Sequence, residues 1–264
     1  MTLFQERSGS GFPVVLLHGL TATHRYVVMG SKSLQRAGHD VLAYDARGHG
    51  ASDPAPSPES YTYAELAEDL LSVMDEAGFD RAVLAGASMG AHTAVRVALE
   101  HPERVAGLVV VTPAYDPEDW PGDLVRWDAL SDGLRNGGVD GFVNAYGEEG
   151  PEQWRATLQT VLRQRLGAHE HPEAVADALK AVPRSRPFET RDQLREITAP
   201  TVVVADRDEP DPGHPLAIGE LYASLIPGAR LIVEEEGKSP IARQGGQLSK
   251  VIASLAAEIS AASS

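Results

Sequence analysis

Ala82-Val83-Leu84-Ala85-Gly86-Ala87-Ser88-Met89-Gly90 is a short apolar run that ends in a Gly-x-Ser-x-Gly turn, and Ala91 to Glu100 after it has the pattern of a helix. A serine delivered this way stands on a sharp strand-to-helix turn in strained backbone geometry, so its neighbours must lack bulk; Gly86 and Gly90 meet that need. The helix behind it aims its first N–H groups and positive dipole end at any negative charge that develops there. The stretch therefore predicts a parallel sheet whose strand ends carry a site, with Ser88 at its centre.

Strands and helices alternate on both sides of this turn. Val14-Val15-Leu16-Leu17 is a continuous apolar run, as a strand buried on both faces requires. Val27 to Ala37 reads as a helix stopped by Gly38, and Val41 to Tyr44 as the next strand. After a Pro- and Ser-rich loop, Thr62-Tyr63-Ala64-Glu65 reads as a capping box, opening a helix with Leu66, Leu70, Val73 and Met74 on one face and Gly78 at its end. Val105 to Val111 is a further strand. Such repeated units imply an α/β fold with a mostly parallel, doubly wound sheet and flanking helices.

The pattern breaks at Thr112-Pro113. From Tyr115 to about Thr198 only helical stretches are legible, the better ones being Pro151 to Leu166 and Pro172 to Lys180. Strand Thr201 to Ala205, helix Pro215 to Ile226, strand Arg230 to Val233 and a closing helix Ile241 to Ile259 follow. The expected organisation is one α/β core, residues 1–113 and 199–264, interrupted by a helical cap at 114–198.

Four motifs make the chain resemble the α/β-hydrolase fold superfamily in its serine-nucleophile branch. His18-Gly19-Leu20 is similar to the family's oxyanion loop, and Asp45-Ala46-Arg47-Gly48-His49-Gly50-Ala51-Ser52 to its D-x-R-G-x-G-x-S loop. Gly86 to Gly90 resembles the nucleophile elbow. Ala205-Asp206-Arg207-Asp208 resembles the G-x-x-D segment that ends in the acid. The resemblance implies that Ser88 is nucleophile or substrate hydrogen-bond donor, Asp208 the acid, and the backbone N–H groups of Leu20 and Met89 the oxyanion hole. It also implies a cofactor-independent enzyme. With thirteen residues ahead of the first buried strand, the family's N-terminal hairpin is expected to shrink to one edge strand.

The resemblance fails at one place. The order Ser…Asp…His calls for a histidine after the last strand, where this chain has Gly237-Lys238-Ser239-Pro240. Lysine at neutral pH is an ammonium, and a neighbouring carboxylate would keep it so. Lys238 is therefore expected in the site but as an ion-pair partner of Asp208 or of an anionic substrate, an altered triad. His214 could supply imidazole from another loop; its neighbours Gly213 and Pro215 favour a surface-loop residue instead.

The remaining histidines read as structural. His18 orders the oxyanion loop, His49 its own loop, and His92 packs against the core. His169 and His171 lie in a Pro-containing linker without a third ligand, which favours solvent exposure over a metal site. Trp120, Trp127, Trp154, Tyr115, Phe142 and Tyr146 all fall in the insertion, most of them to fill its core and one or two to roof an apolar pocket. Asp116 is a fallback acid, and Glu234-Glu235-Glu236 a solvated strand end.

The formal net charge of −15 argues against nucleic acid and anionic membrane as partners. Zero cysteines exclude disulfides and thiolate metal sites. No apolar run is long enough to span a bilayer, and no basic-then-apolar leader opens the chain, so a cytoplasmic protein is expected. The leading function is hydrolysis of a small or medium carbonyl substrate: ester, thioester, lactone or C–C bond. The rivals are a lyase or cyclase that uses Lys238 as a positive charge, and a catalytically silent binding protein. Oligomeric state stays open.

Overall fold

The β-branched and apolar runs of the sequence pair into one sheet because they can be buried on both faces. The structure, a computed structural model, describes residues 1–147, 152–207 and 213–262, the side chains of 153 and 154 excepted. The sheet has seven strands, β1 (Gln5–Gly9), β2 (Phe12–Leu17), β3 (His39–Tyr44), β4 (Ala82–Ala87), β5 (Val105–Val111), β6 (Thr201–Ala205) and β7 (Arg230–Val233). Their order is β1-β3-β2-β4-β5-β6-β7. β1 is the single antiparallel edge strand, running against β3 from Gln5 opposite Tyr44; every other pairing is parallel. The central strands are shielded throughout: all of β5 is buried, as are Val14 to Leu17 of β2.

Among the described residues eight α-helices accompany the strands: α1 (Ser33–Arg36), α2 (Tyr63–Glu76), α3 (Met89–Glu100), α4 (Leu124–Tyr146), α5 (Glu152–Leu166), α6 (Pro172–Ala181), α7 (Leu216–Leu225) and α8 (Gly245–Ala262). On one face of the sheet Leu66, Leu70, Val73 and Met74 of α2, Ala91 and Ala94 of α3 and Tyr222 of α7 cover Val15, Leu84 and Leu108. On the other, Leu34 of α1 and Leu248, Ile252, Leu255 and Ile259 of α8 cover Val14, Val83 and Val109. Between β5 and β6 the described elements are all helical. They hold a third cluster, with Leu130, Leu134 and Phe142 of α4, Leu162 and Leu166 of α5, and Val175 and Leu179 of α6.

Three local expectations need correction. The helix expected over Val27 to Ala37 is reduced to Ser33–Arg36, because Met29 (φ 48°) and Gly30 (φ 71°) take left-handed backbone that no continuous helix admits. The capping box at Thr62 is half formed. Thr62 accepts from Glu65 N–H, but the Glu65 carboxylate is taken by Arg47 at 2.7 Å. Finally, α4 was not legible in the sequence. Its two halves break at Gly138 (φ 59°), and they cross so closely that a Cβ on Gly141 would stand 2.1 Å from the Gly133 carbonyl oxygen. Glycines that look like breakers are here the contact surface of a folded-back helix.

Among the described residues no helix is long and apolar enough to cross a membrane.

Candidate active site

β4 hands the chain to α3 through a single residue. Ser88 has φ 50° and ψ −113°, a conformation that L-residues adopt only where the surroundings over-determine it. The surroundings are its glycines. A Cβ on Gly86 would meet the Gly90 carbonyl oxygen at 2.2 Å, and one on Gly90 the Leu17 carbonyl oxygen at 2.4 Å. Ser88 N–H donates to the Val111 carbonyl (2.9 Å), and its own carbonyl accepts from His92 N–H at 3.0 Å. The turn is thus clamped between β2 and β5, and the half-buried Ser88 side chain stands clear at the carboxyl end of β4.

The expected oxyanion loop, His18-Gly19-Leu20, lies against it. A Cβ on Gly19 would touch the Ser88 Cβ at 3.4 Å. The N–H groups of Leu20 and Met89 donate to no described residue; the latter heads α3, where helical N–H groups have no partner within the helix. His18 is buried and neutral, its imidazole pushed down to about 4, first by desolvation. Its Nδ1–H donates to Gly19 C=O at 2.8 Å while Nε2 accepts Ala46 N–H at 2.9 Å. The D-x-R-G-x-G-x-S loop behind it is similarly fixed. Asp45 accepts from His24 N–H and Nδ1, and Arg47 forks onto both Asp69 oxygens.

Among the described residues, the side chain at hydrogen-bond distance from Ser88 Oγ is His214, whose Nε2 lies 2.9 Å away. It stands half-buried at the entry to α7, between Gly213 and Pro215. Lys238 does not join it. The turn at Gly237 (φ 75°) closes with Lys238 N–H on the Glu235 carbonyl, and the lysine side chain is exposed, without a hydrogen bond or ion pair to any described residue. The expected convergence on Ser88 therefore fails for Lys238, and the residue read from its neighbours as a surface-loop histidine stands in its place. Asp208, the expected acid, lies outside the described residues.

Other candidates are also placed. Asp116 is held by the Arg191 guanidinium through both oxygens and accepts from Glu118 N–H, so it is spoken for; Arg191 keeps its carboxyl below the usual range. His92 is buried, with Nε2 accepting Ala114 and Tyr115 N–H and Nδ1 facing Tyr63 Oη at 3.0 Å. Desolvation, with His214 nearby, pushes it down to about 3. Tyr115 donates its hydroxyl to the Phe188 carbonyl and is no free roof. Phe142 is core, Tyr146 stacks on it, and Trp120 lies under the Arg186 guanidinium. The Trp154 side chain lies outside the described residues.

Two further expectations are overturned. Glu234 is buried, its carboxylate accepting Arg207 N–H at 2.7 Å; only Glu235 and Glu236 are exposed. His169 is not a solvated linker residue. It accepts Gly50 N–H at 2.8 Å, faces the Thr21 carbonyl at 3.0 Å and packs edge-on to His49. Nothing in the local sequence marks it, because both of its partners lie more than a hundred residues earlier. Among the described residues no group of three histidine or acidic side chains could hold a metal ion. A cavity of about 240 Å³ opens beside the shortened α1, lined by His24, Lys32, Gln35 and Val41 among others. It does not include Ser88, and its rim charges Lys32 and Glu6 already pair at 2.6 Å.

The family model of the alpha/beta hydrolase fold matches residues 13–238. The chain belongs to this family. Among its alpha/beta-hydrolase relatives, a hydrolase from Pseudomonas putida named for 2-hydroxy-6-oxononadienedioate and 2-hydroxy-6-oxononatrienedioate is 32% identical over 232 residues, 83% of this chain and 78% of its own. The provisionally named carbamate hydrolase RutD of Pseudomonas savastanoi pv. phaseolicola is 29% identical over 230 residues, 85% of each chain. Of the solved structures, an esterase from Exiguobacterium antarcticum superposes with a TM-score of 0.76 at 25% identity, over 97% of this chain and 95% of its own.

Proposed function

We propose that this alpha/beta hydrolase cleaves a small or medium carbonyl substrate, with Ser88 as nucleophile and His214, in place of the expected Lys238, as its general base. The observation that carries the reading is the 2.9 Å contact between Ser88 Oγ and His214 Nε2, made at a strained elbow whose strain serves no folding purpose. Relatives named as hydrolases of 2-hydroxy-6-oxo dienedioates and trienedioates and of carbamates, and a structural neighbour named as an esterase, support a carbonyl substrate.

In this reading Ser88 Oγ attacks the substrate carbonyl carbon while Nε2 takes its proton. The carbonyl oxygen, now negative, is received by the N–H groups of Leu20 and Met89 at the positive end of α3. Nε2–H then returns the proton to the leaving group as the acyl bond breaks. Water, deprotonated by the same nitrogen, releases the acyl group from Ser88. Asp208, six residues before His214, is proposed to orient the imidazole. The helical segment 114–198 is proposed to cap the site.

The reading in which Lys238 supplies positive charge loses its support with that side chain's exposure. The test is labelling by a fluorophosphonate at neutral pH. Wild type should be modified at Ser88, Ser88→Ala not at all, and His214→Ala about 10²–10⁴-fold more slowly. Equal rates for wild type and His214→Ala would remove His214 from the mechanism.

A further inference from the structure

The oxyanion donor at Leu20 depends on the direction of one peptide plane. Because a peptide is planar, the Leu20 N–H points opposite to the Gly19 carbonyl. That carbonyl is gripped from within the α/β core, by His18 Nδ1–H at 2.8 Å and by Ala22 N–H at 3.0 Å. The next residue, Thr21, is buried with φ 69°, a left-handed backbone that a β-branched residue holds only under constraint.

The constraint comes from the helical segment. Arg165, in the last turn of α5, donates from Nη2 to the Leu20 carbonyl (3.1 Å) and to Thr21 Oγ1 (3.1 Å). Its guanidinium also lies 5.8 Å from the centre of the Tyr26 ring. Four residues on, His169 donates from Nε2 to the Thr21 carbonyl at 3.0 Å, a role fixed by its Nδ1, which accepts Gly50 N–H at 2.8 Å. Glu170 N–H donates to the Gly50 carbonyl, so the same stretch is tied to the neighbouring loop. The Leu20 side chain packs into the cluster built by Leu130, Phe142 and Leu166. Three successive carbonyls, of Gly19, Leu20 and Thr21, are thus held, the first from the core, the second from α5 and the third from the linker that follows α5.

We infer that Arg165 and His169 are positioning residues of the oxyanion hole. By holding the Leu20 and Thr21 carbonyls they fix the strained Thr21 backbone, and through it the aim of the Leu20 N–H. The inference rests on the hydrolase reading for its catalytic consequence but not for the clamp itself. It gives the inserted helices a task in the chemistry besides covering substrate.

Two readouts separate these parts. Amide hydrogen exchange of a peptide spanning residues 19–26 should speed at least about tenfold in Arg165→Met, which keeps the apolar stem, and in His169→Leu, while peptides from β4 and β5 keep wild-type rates. With p-nitrophenyl butyrate, Arg165→Met should lower kcat about 10- to 100-fold, below the full loss of one oxyanion donor, with KM within about twofold; Arg165→Lys should recover part of it. A merely structural role would move stability and leave that split untouched. Unchanged exchange at 19–26 overturns the clamp, and faster exchange with wild-type kcat overturns its link to the oxyanion. If wild type neither labels with fluorophosphonate nor turns over, the hydrolase reading falls alone, and the exchange result still decides the clamp.

Discussion

The two halves of the site are built in different ways. The half proposed to hold the nucleophile and oxyanion donors, on the loops after β2 and β4, is packed backbone against backbone. Gly86, Gly90 and Gly19 each stand where a Cβ would touch another main chain or Ser88 itself. In the half proposed to hold the base, on the loops after β6 and β7, the described Gly237 has no such contact. Gly237 has left-handed φ but open space around it, and Lys238 beyond it is exposed. The first half tolerates almost no substitution without moving a backbone. In the second, the imidazole that meets Ser88 comes from the loop after β6 and not from position 238.

The largest effect should come from exchanging the roles of those two loops. His214→Ala should cut kcat/KM on an activated ester by about 10²–10⁴, the usual worth of a general base, whereas Lys238→Ala should stay within about twofold of wild type. Steady-state kinetics of both variants beside Ser88→Ala as the background settles the comparison. A Lys238→Ala loss as large as that of His214→Ala would break it.

Next in size is a stability contrast between glycines. Gly90→Ala sets a Cβ 2.4 Å from the Leu17 carbonyl oxygen, and backbone can yield only by disturbing the elbow. A loss of about 3 kcal/mol is expected. Gly237→Ala meets nothing within 4 Å and bears only the left-handed φ of 75°, for about 1 kcal/mol. Urea unfolding of both measures the difference; equal losses would show that the second half is as tightly built as the first.

A third effect depends on pH and arises mostly in the first half. His18 and His92 have imidazoles pushed down to about 4 and about 3, chiefly by burial, and His49 and His169 are lowered by the same cause. The unfolded chain therefore binds protons that the folded one refuses, and stability falls as pH drops from about 6.5 toward the folded values. Within that window each such histidine adds about 1.4 kcal/mol per pH unit to the slope. His92→Gln, whose amide oxygen can accept the Ala114 and Tyr115 N–H groups, should remove that much from the slope of unfolding free energy between pH 6 and pH 4. An unaltered slope would mean that His92 is not held neutral.

The same contrast explains what the sequence made legible. Ser88, Leu20 and Met89 are singled out as candidates by Gly-x-Ser-x-Gly and His18-Gly19-Leu20 because close backbone approach restricts residue type at fixed spacing. The parallel sheet follows from runs such as Val105 to Val111, which have one use. His214 has no such signature. Its neighbours describe a loop, and its meaning lies in a contact with a residue 126 positions earlier. Arg165 and His169 are hidden for the same reason. α4 was concealed by Gly133, Gly138 and Gly141, which sequence patterns read as breaks; the fold uses Gly138 for the kink and Gly133 and Gly141 for close crossing.

The smallest effect should be that of Lys238→His, the substitution that restores the family's residue at the end of the matched segment. Were Lys238 poised beside Ser88, an imidazole there would complete a triad and raise esterase activity. Position 238 is instead exposed, past a turn closed by Lys238 N–H on the Glu235 carbonyl, while Ser88 Oγ already meets His214 Nε2. A second imidazole at 238 would have to displace the first from the same lone pair and proton. Esterase activity of Lys238→His should therefore equal wild type within about twofold, and the His214→Ala/Lys238→His double variant should be no faster than His214→Ala alone, each having lost general base assistance worth about 10²–10⁴. Recovery in the double variant would show that the loop after β7 still reaches Ser88, and that the second half of the site can place its base from either loop.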